Sequence, residues 1–300
     1  MATPMTRAQF EAFTNLEVAL RTVFTDKMDW NDPLWSLYAT APSSRAVERN
    51  QGVSGLSEVP EYTGTIEYDS MEPLWRADYQ HKQYAKGIAI ERTLLDDDEY
   101  GVMNRRASLL GISFNRTATK HMVSVFNNAF DGTNYAGPDS VALCGSHPYT
   151  PTNTDTQSNA GTSALTHDAV VATRVAMRKF EDSTEEPMPV EPDVLVVPSD
   201  LVETALVITE SIQRSGNANN DANVNRNLRV LTSPYLTDTN NWFMVDSQMA
   251  KMYLNWYWRV MPEFAGDPTS DFNLELRFRG YMRYSYGWDH WSWIYGHNVT

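Results

Sequence analysis

The chain has 300 residues, with 24 Lys plus Arg against 38 Asp plus Glu, a formal net charge of −14. That length allows one large domain or two smaller ones with a real core, and that charge excludes a polyanion-gripping surface over the chain as a whole. A single cysteine, Cys144, excludes an internal disulfide framework and suits a reducing compartment; no apolar run approaches the ~20 residues of a membrane span, and the start MATPMTRAQF shows no apolar signal segment.

Residues 5–24 form an amphipathic stretch in which Phe10, Phe13, Leu16, Leu20, Val23 and Phe24 approximate one helical face. Residues 25–60, with Pro33, Pro42 and Pro60, lose periodicity and read as an extended arm that needs a partner surface to order it. Two β-prone segments, 62–68 and 79–90, broken near Met71 and Pro73, suggest a long hairpin.

The run from Lys82 to Gly132 carries the strongest pattern. A strand-like segment, 84–95, ends in Asp96, Asp97 and Asp98, which suit the orphan N–H groups and dipole of a helix start. Met103, Ala107, Leu110, Phe114, Ala118, Met122, Val125 and Ala129 then recur at steps of three or four, which places them on one helical face. Arg105, Arg106, Arg116 and Lys120 fall largely off that stripe, and Gly132 is a natural residue to follow the helix end. About 30 residues at ~1.5 Å each give a helix of roughly 45 Å. Gly101 and Gly111 would weaken it and mark a bend or a close approach.

Residues 131–163 read as irregular connections with a short strand at 140–144. Thr166 is the expected N-cap of a second helix, with Leu165 and Val170 spaced as a hydrophobic staple and Arg174, Arg178 and Lys179 near the other end. Residues 181–210 hold nine acids and no Lys or Arg, the clearest composition shift and a candidate domain boundary. Within them, 193–197 is a short buried strand, and Pro198, Ser199 and Asp200 start a third helix that runs to about Ser211. Residues 215–227 contain six asparagines and read as a mobile loop. Strands are expected at 228–232, 242–245 and 252–260. Over 272–288 the apolar residues Phe272, Leu274, Leu276, Phe278, Met282, Tyr284, Tyr286 and Trp288 alternate with polar ones, the period of a long strand with one buried face.

Signals for chemistry are weak. The sequence has no GxGxxG, Walker, HExxH or GxSxG motif. The six histidines, 81, 121, 147, 167, 290 and 297, lack metal spacing; His290, His297 and Asp289 could share a metal, but interfacial histidines among aromatics are the simpler reading. Cys144 with His147 lacks a third partner for a thiol nucleophile, and helix capping explains residues 96–99 more simply than a cation site. Fourteen aromatics between Tyr253 and Tyr295 could stack a sugar or a nucleic acid, but their alternation favours a core strand. The expectation is therefore no catalytic residue, no metal and no cofactor.

Order and spacing together resemble a known family. YAKGIAIERTLLDDDEYG is similar to a ribbon strand entering a spine helix, NNAFDG to the helix exit, EPDVLVVPSDLVETALVI to the strand and helix that open an axial domain, and LRVLTSPYLTDTNNWFMVD to that domain's later strands. Over about residues 60–300 the chain resembles tailed-bacteriophage major capsid proteins of the Hong Kong ninety-seven-like fold, more narrowly the Mu-like major head subunit group.

The resemblance implies an α+β phage major capsid fold. Its parts would be an N-terminal arm at 1–56, an E-loop hairpin at 57–92, and a P-domain at 93–190 and 255–300 with a spine helix at about 97–130. A compact A-domain would occupy 191–254, with the loop at 215–227 pointing to the capsomer axis. It implies a non-enzymatic structural subunit that self-assembles into hexamers and pentamers. These would close an icosahedral or prolate head around double-stranded DNA, assembled in the host bacterial cytoplasm. Implied partners are the portal and, where used, scaffolding and decoration proteins, with no membrane. A scaffold, if used, would be separate or already removed. Trp75, Arg76, Tyr79, Lys82, Tyr84 and Lys86 would be E-loop contacts to a neighbour, exposed within one subunit. Met103, Leu110, Phe114, Met122 and Val125 would be the core face of the spine helix. The covalent crosslinking of some relatives is not carried over, since no partner for Lys82 or Lys86 is identifiable. The alternative is a carbohydrate-binding or carbohydrate-cleaving β protein using the C-terminal aromatics. A tail-tube subunit is a third option, against which the long helix argues.

Overall fold

The computed structural model describes residues 7–28, 30–56, 58–64, 66, 68, 71–91, 93, 100–214, 221–266 and 275–300. Its axis is helix α2, Tyr100–Asn127, 28 residues or about 42 Å. Met103, Ala107, Leu110, Phe114, Ala118, Met122 and Val125 are all buried along one side. That stripe packs on a four-stranded sheet in the order β1-β11-β12-β4, formed by β1 Ala39–Pro42, β4 Lys82–Glu91, β11 Leu254–Gly266 and β12 Glu275–Trp288. Phe278, Met282 and Tyr284 of β12 face the helix and are 1% exposed, and Arg277 and Arg279 lie on the opposite, exposed face, so the period-two pattern separates core from solvent.

Helix α1, Arg7–Asp26, crosses α2 at a glycine. A Cβ on Gly111 would lie 2.5 Å from the Phe24 carbonyl oxygen, so the two backbones approach as no larger residue allows. Phe24 meets Phe114 edge-on, ring centroids 5.6 Å apart, and Phe264 at 5.3 Å.

The stretch expected to need a foreign surface finds one in its own chain. Asp32 caps a 3-10 turn, Pro33–Leu37, by accepting from the Leu34 N–H at 3.0 Å. Leu34 and Leu37 are fully buried, and the Tyr38 hydroxyl donates to the Met122 carbonyl at 2.7 Å. β1 then pairs parallel with β11, Ala39 opposite Asn255. No helical or strand period was visible because the apolar residues sit in a single 3-10 turn and a four-residue strand.

The hairpin also differs from expectation. β2, Val47–Val53, pairs with β3, Pro73–Gln80, from Val47 opposite Gln80 to Val53 opposite Pro73. The described residues of 62–68 are not strand but belong to the connection between them. β2 reads VERNQGV, too polar to signal itself by hydropathy. The segment 79–90 is broken at His81, after which β4 leaves the ribbon and pairs with β12.

A second sheet runs β7-β13-β10-β8-β9. Its strands are β7 Ala160–Gly161, β8 Val194–Val197, β9 Arg229–Thr232, β10 Trp242–Val245 and β13 Ile294–His297. Every residue of β8 and β10 is buried. Helix α3, His167–Met177, capped by the Thr166 hydroxyl, contacts β10 and β13; α4, Val202–Glu210, contacts β8 and β9. β13 comes from the end of the chain, so residues 294–297 belong to the sheet of segment 191–254 rather than to that of β11 and β12.

Smaller corrections have local causes. α2 ends at Asn127, not beside Gly132, because the Ala129 carbonyl is taken by the Cys144 N–H at 2.7 Å. Residues 140–144 are irregular, with Ser140 at φ 66°; the strand there is β5, Ser146–Pro148, paired with β6, Thr156–Ser158. The expected strand at 252–260 is preceded by helix α5, Ser247–Tyr253, capped by Asp246. In the asparagine-rich tract, residues 221–227 are built into the fold: Asn223 and Asn225 are buried, and Asn223 Nδ2 donates to the Ile208 and Ser211 carbonyls at the end of α4, at 2.7 and 2.9 Å. The expected caps at 96–98, with Phe272, Leu274 and residues 215–220, lie outside the described residues.

Candidate functional site

The β2–β3 ribbon is tied to the body at its base by two polar clasps. Asp289, just past β12, is the first. Its carboxylate accepts from the Tyr79 hydroxyl on β3, from Asn50 Nδ2 on β2 at 2.8 Å, and from Asn255 Nδ2 on β11 at 2.7 Å. Asn50 also donates to the Tyr257 hydroxyl at 2.9 Å. The Tyr79 ring lies edge-on to Tyr257, centroids 5.2 Å apart, and fills the space a Cβ on residue 287 would take, 2.9 Å from its Cε1, which makes Gly287 part of the socket. Burial raises the Asp289 pKa, and the three hydrogen bonds offset that only in part. Burial and then the Asp289 charge push the Tyr79 hydroxyl far above its ordinary value.

His81, at the break between β3 and β4, is the second clasp. Its Nε2 and Nδ1 lie 2.9 Å from the Ser43 and Ser285 hydroxyls. The Ser43 hydroxyl donates to Glu48 Oε1 at 2.7 Å, so it accepts from His81 Nε2–H, and Nδ1 accepts from Ser285. Burial, then the Arg283 charge, lowers the His81 pKa, which favours this neutral form.

The connection 54–72 joins β2 to β3. Its first turn is held by Ser54 N–H to the Glu72 carbonyl at 3.0 Å and by Gly55 N–H to Ser183 Oγ at 2.9 Å. Beyond that it exposes apolar side chains: Val59 is 96% and Tyr68 88% exposed, and Leu56, Tyr62, Ile66 and Met71 are also exposed. Such a concentration of exposed apolar side chains marks a contact surface.

A family model described as phage capsid protein matches residues 76–296, roughly three quarters of the chain. The chain belongs to the phage capsid protein family. No curated protein sequence matches it. Solved structures share its fold at low identity. The Bacteriophage JBD30 capsid is 14% identical, covering 69% of this chain and 91% of that one, with a TM-score of 0.57. The capsid of Cyanophage P-SCSP1u is 13% identical, covering 88% and 86%, at 0.57. A virus-like particle from Pyrococcus furiosus is 9% identical, covering 93% and 98%, at 0.53. The fold is thus the Hong Kong ninety-seven-like α+β capsid fold, and the protein is a major capsid subunit, a structural component of the virion shell.

In this capsid protein the E-loop residues named from sequence divide into two groups. Arg76, Lys82 and Lys86 are exposed, Arg76 Nε pairing with Asp78 at 2.8 Å and Lys86 Nζ lying 3.4 Å from Ser113 Oγ on α2. Trp75 is half-buried, and Tyr79 is held in the Asp289 clasp. Tyr84 stacks on Tyr284, centroids 4.8 Å apart, near His121. Segment 74–86 is therefore not uniformly exposed within one subunit, because the break at His81 lays β4 along β12. Sequence reasoning missed the clasp roles of Asn50, Asn255 and Asp289, the last weighed there only as a metal ligand. Each is an isolated polar residue, and no local spacing ties position 50 to 289.

The weaker chemical candidates are structural. Cys144 is buried, which pushes its thiol pKa up and disfavours the nucleophilic thiolate. His147 Nδ1 lies 2.5 Å from Asp139 Oδ2, and its ring stacks on Trp291 at 4.7 Å. His297 uses both nitrogens, accepting from Ser163 N–H at 3.1 Å and bonding the Thr173 hydroxyl at 2.8 Å, and it stacks on Trp242. Burial lowers the pKa of both His290 and His297 to about 4. No group of three metal-ligating side chains occurs among the described residues. Trp256, Tyr284 and Trp293 are buried rather than offered as a sugar platform.

Proposed function

We propose that this capsid protein assembles into hexamers and pentamers that close an icosahedral or prolate head around double-stranded DNA, in the cytoplasm of a host bacterium. The portal, and scaffolding and decoration proteins where used, are its further partners. In this reading residues 47–80 with their 54–72 connection act as the E-loop, and α2 with the β1-β11-β12-β4 sheet forms the P-domain. The β7-β13-β10-β8-β9 sheet forms the A-domain. The E-loop reaches a neighbouring copy, with Arg76, Lys82 and Lys86 at the rim of that contact. The observation that carries the reading is the ribbon itself: an element fixed at its base by two clasps, whose connection carries apolar residues that its own subunit leaves exposed. An acidic shell, at net charge −14, offers packaged DNA little phosphate neutralisation and lets it slide.

Light scattering and electron microscopy of the purified protein test this. Closed shells are expected. A species that stays monomeric under every assembly condition, phage partners included, refutes it.

A further inference from the structure

Helix α2 departs from the charge of the rest of the chain. It contains Arg105, Arg106, Arg116 and Lys120 and no Asp or Glu, in a chain with 38 acids against 24 Lys plus Arg. At about 100° per residue the four cations share one sector of roughly 100°, with Leu109 and Ser113 between them. That sector lies opposite the buried Ala107, Phe114 and Ala118, and all four cations are exposed. From Arg105 to Lys120 the helix runs about 22 Å.

The edge strand β4 continues the strip. Ile88 pairs with Phe278 and Ile90 is buried, so the alternation puts Lys82, Tyr84 and Lys86 on the α2 side of the sheet, and both lysines are exposed. Lys86 Nζ lies 3.4 Å from Ser113 Oγ, and Arg106 Nη1 donates to the Ala89 carbonyl at 2.8 Å, beside a groove of about 320 Å³ between β4 and α2. By the same alternation Glu91, opposite Glu275, falls on the other face of the sheet, as does Glu263, opposite Tyr281. None of the six cations is in an ion pair among the described residues. Other acids adjoin the strip: residues 96–99 precede α2, Asp131 follows it, and Asp238 comes after Tyr235, over whose ring Lys120 Nζ sits at 5.9 Å. On the opposite flank α1 is balanced, with Arg7, Arg21 and the adjoining Lys27 against Glu11, Glu17 and Asp26.

We infer that this strip is the surface the subunit turns to double-stranded DNA, with Arg105, Arg106, Arg116 and Lys120 contacting backbone phosphates without reading bases. This rests on the proposed assembly around DNA, and adds which face of the subunit lines the interior. Exposed cations on long stems, carried by a rigid helix, suit phosphates of any sequence. Tyr84 is stacked on Tyr284 rather than offered to a base, so the strip fits a duplex backbone better than a single strand, which binds through open aromatic faces. Lys82 and Lys86, at the rim of the proposed subunit contact, border the strip on the β4 side. Each contact releases counterions and favours binding, while the net acidity of the chain opposes it, so packaged DNA is guided rather than gripped.

Fluorescence anisotropy of a short duplex DNA with the full-length subunit tests this without requiring shells. The unaltered subunit should bind at low salt with an affinity that falls as salt rises. Arg105→Gln/Arg116→Gln/Lys120→Gln should weaken binding about tenfold and make the slope of log affinity against log salt shallower by roughly 2 to 3. Lys179→Gln/Lys251→Gln/Arg279→Gln, an equal charge change at exposed positions off the strip, should stay within about twofold of the unaltered protein. Thermal melts by circular dichroism check that each variant is folded, and Arg116→Gln/Lys120→Gln replaces the triple variant if that one is not, with a smaller loss expected. Shells give a readout that needs no variant: by acetylation and mass spectrometry, Lys120 should be shielded in DNA-filled shells and reactive in emptied ones. No duplex binding by the unaltered subunit, or equal losses in the strip and control variants, overturns the inference. So does a Lys120 that is reactive in both kinds of shell, or shielded in both, which would mean that a second copy or another protein covers the strip. Failure of the unaltered protein to form shells would count against the broader assembly reading and leave the anisotropy result to decide this one.

Discussion

Asp289→Ala is the sharpest perturbation of the ribbon base. The carboxylate is the common acceptor for Tyr79, Asn50 and Asn255. After its removal Asn50 keeps the Tyr257 hydroxyl at 2.9 Å and Asn255 keeps a long bond to the Tyr253 carbonyl at 3.4 Å, whereas the buried Tyr79 hydroxyl loses the acceptor it donates to. One orphaned buried donor costs about 1–3 kcal/mol, and each hydrogen bond to a charged group adds about 1.5–3 before compensation. Desolvation of the carboxylate, relieved in the variant, offsets part of this, so a net loss of about 3 kcal/mol is expected. Urea denaturation measures it, and hydrogen exchange of residues 47–53 and 73–80 shows whether the ribbon loosens before the rest. The pH dependence has a definite sign. Because the folded-state pKa of Asp289 is raised, the folded chain holds that proton more tightly than the unfolded chain. The carboxylate's contribution therefore falls as pH rises through the window above its ordinary value. The gap between wild type and variant should be widest in acid, narrow through that window, and stay flat at higher pH. A loss under about 1 kcal/mol with unchanged exchange in both strands would refute the clasp.

Other expectations follow from burial and close approach. Leu37→Ala should cost about 2–5 kcal/mol in a denaturation experiment, because the side chain is fully buried in the subunit's own core; a neutral result would return this segment to the status of an arm. Gly111→Ala should lower Tm despite the better helix propensity of alanine, since its Cβ would sit 2.5 Å from the Phe24 carbonyl oxygen and push α1 off α2. His290 and His297, held neutral with pKa values near 4, bind fewer protons folded than unfolded. Stability should then drop as pH falls from about 6.5 toward 4, and a flat urea midpoint across that range would contradict their burial.

Much of this architecture was legible locally. The steps of three and four from Met103 to Val125, the alternation from Phe278 to Trp288, the cap at Thr166 and the apolar strands VLVV and WFMV each report the period or chemistry of one element, which neighbouring residues carry among themselves. Family resemblance rested on the order of those elements. What the segments could not disclose was which of them meet. The polar strand β2 gains its identity only from β3, and the 33–42 segment from α2 and β11. β13 joins the sheet of β8 and β10, although it follows β12 in the chain. The Asp289 clasp unites positions 50, 79, 255 and 289, and the His81 clasp positions 43, 81 and 285. A lone asparagine or aspartate has no periodicity, and its role is set by donors and acceptors that only the folded backbone brings within hydrogen-bonding distance. Hydrophobic patterning is a property of sequence neighbours, whereas polar satisfaction in a core depends on residues hundreds of positions apart, and that part was decided by the tertiary structure alone.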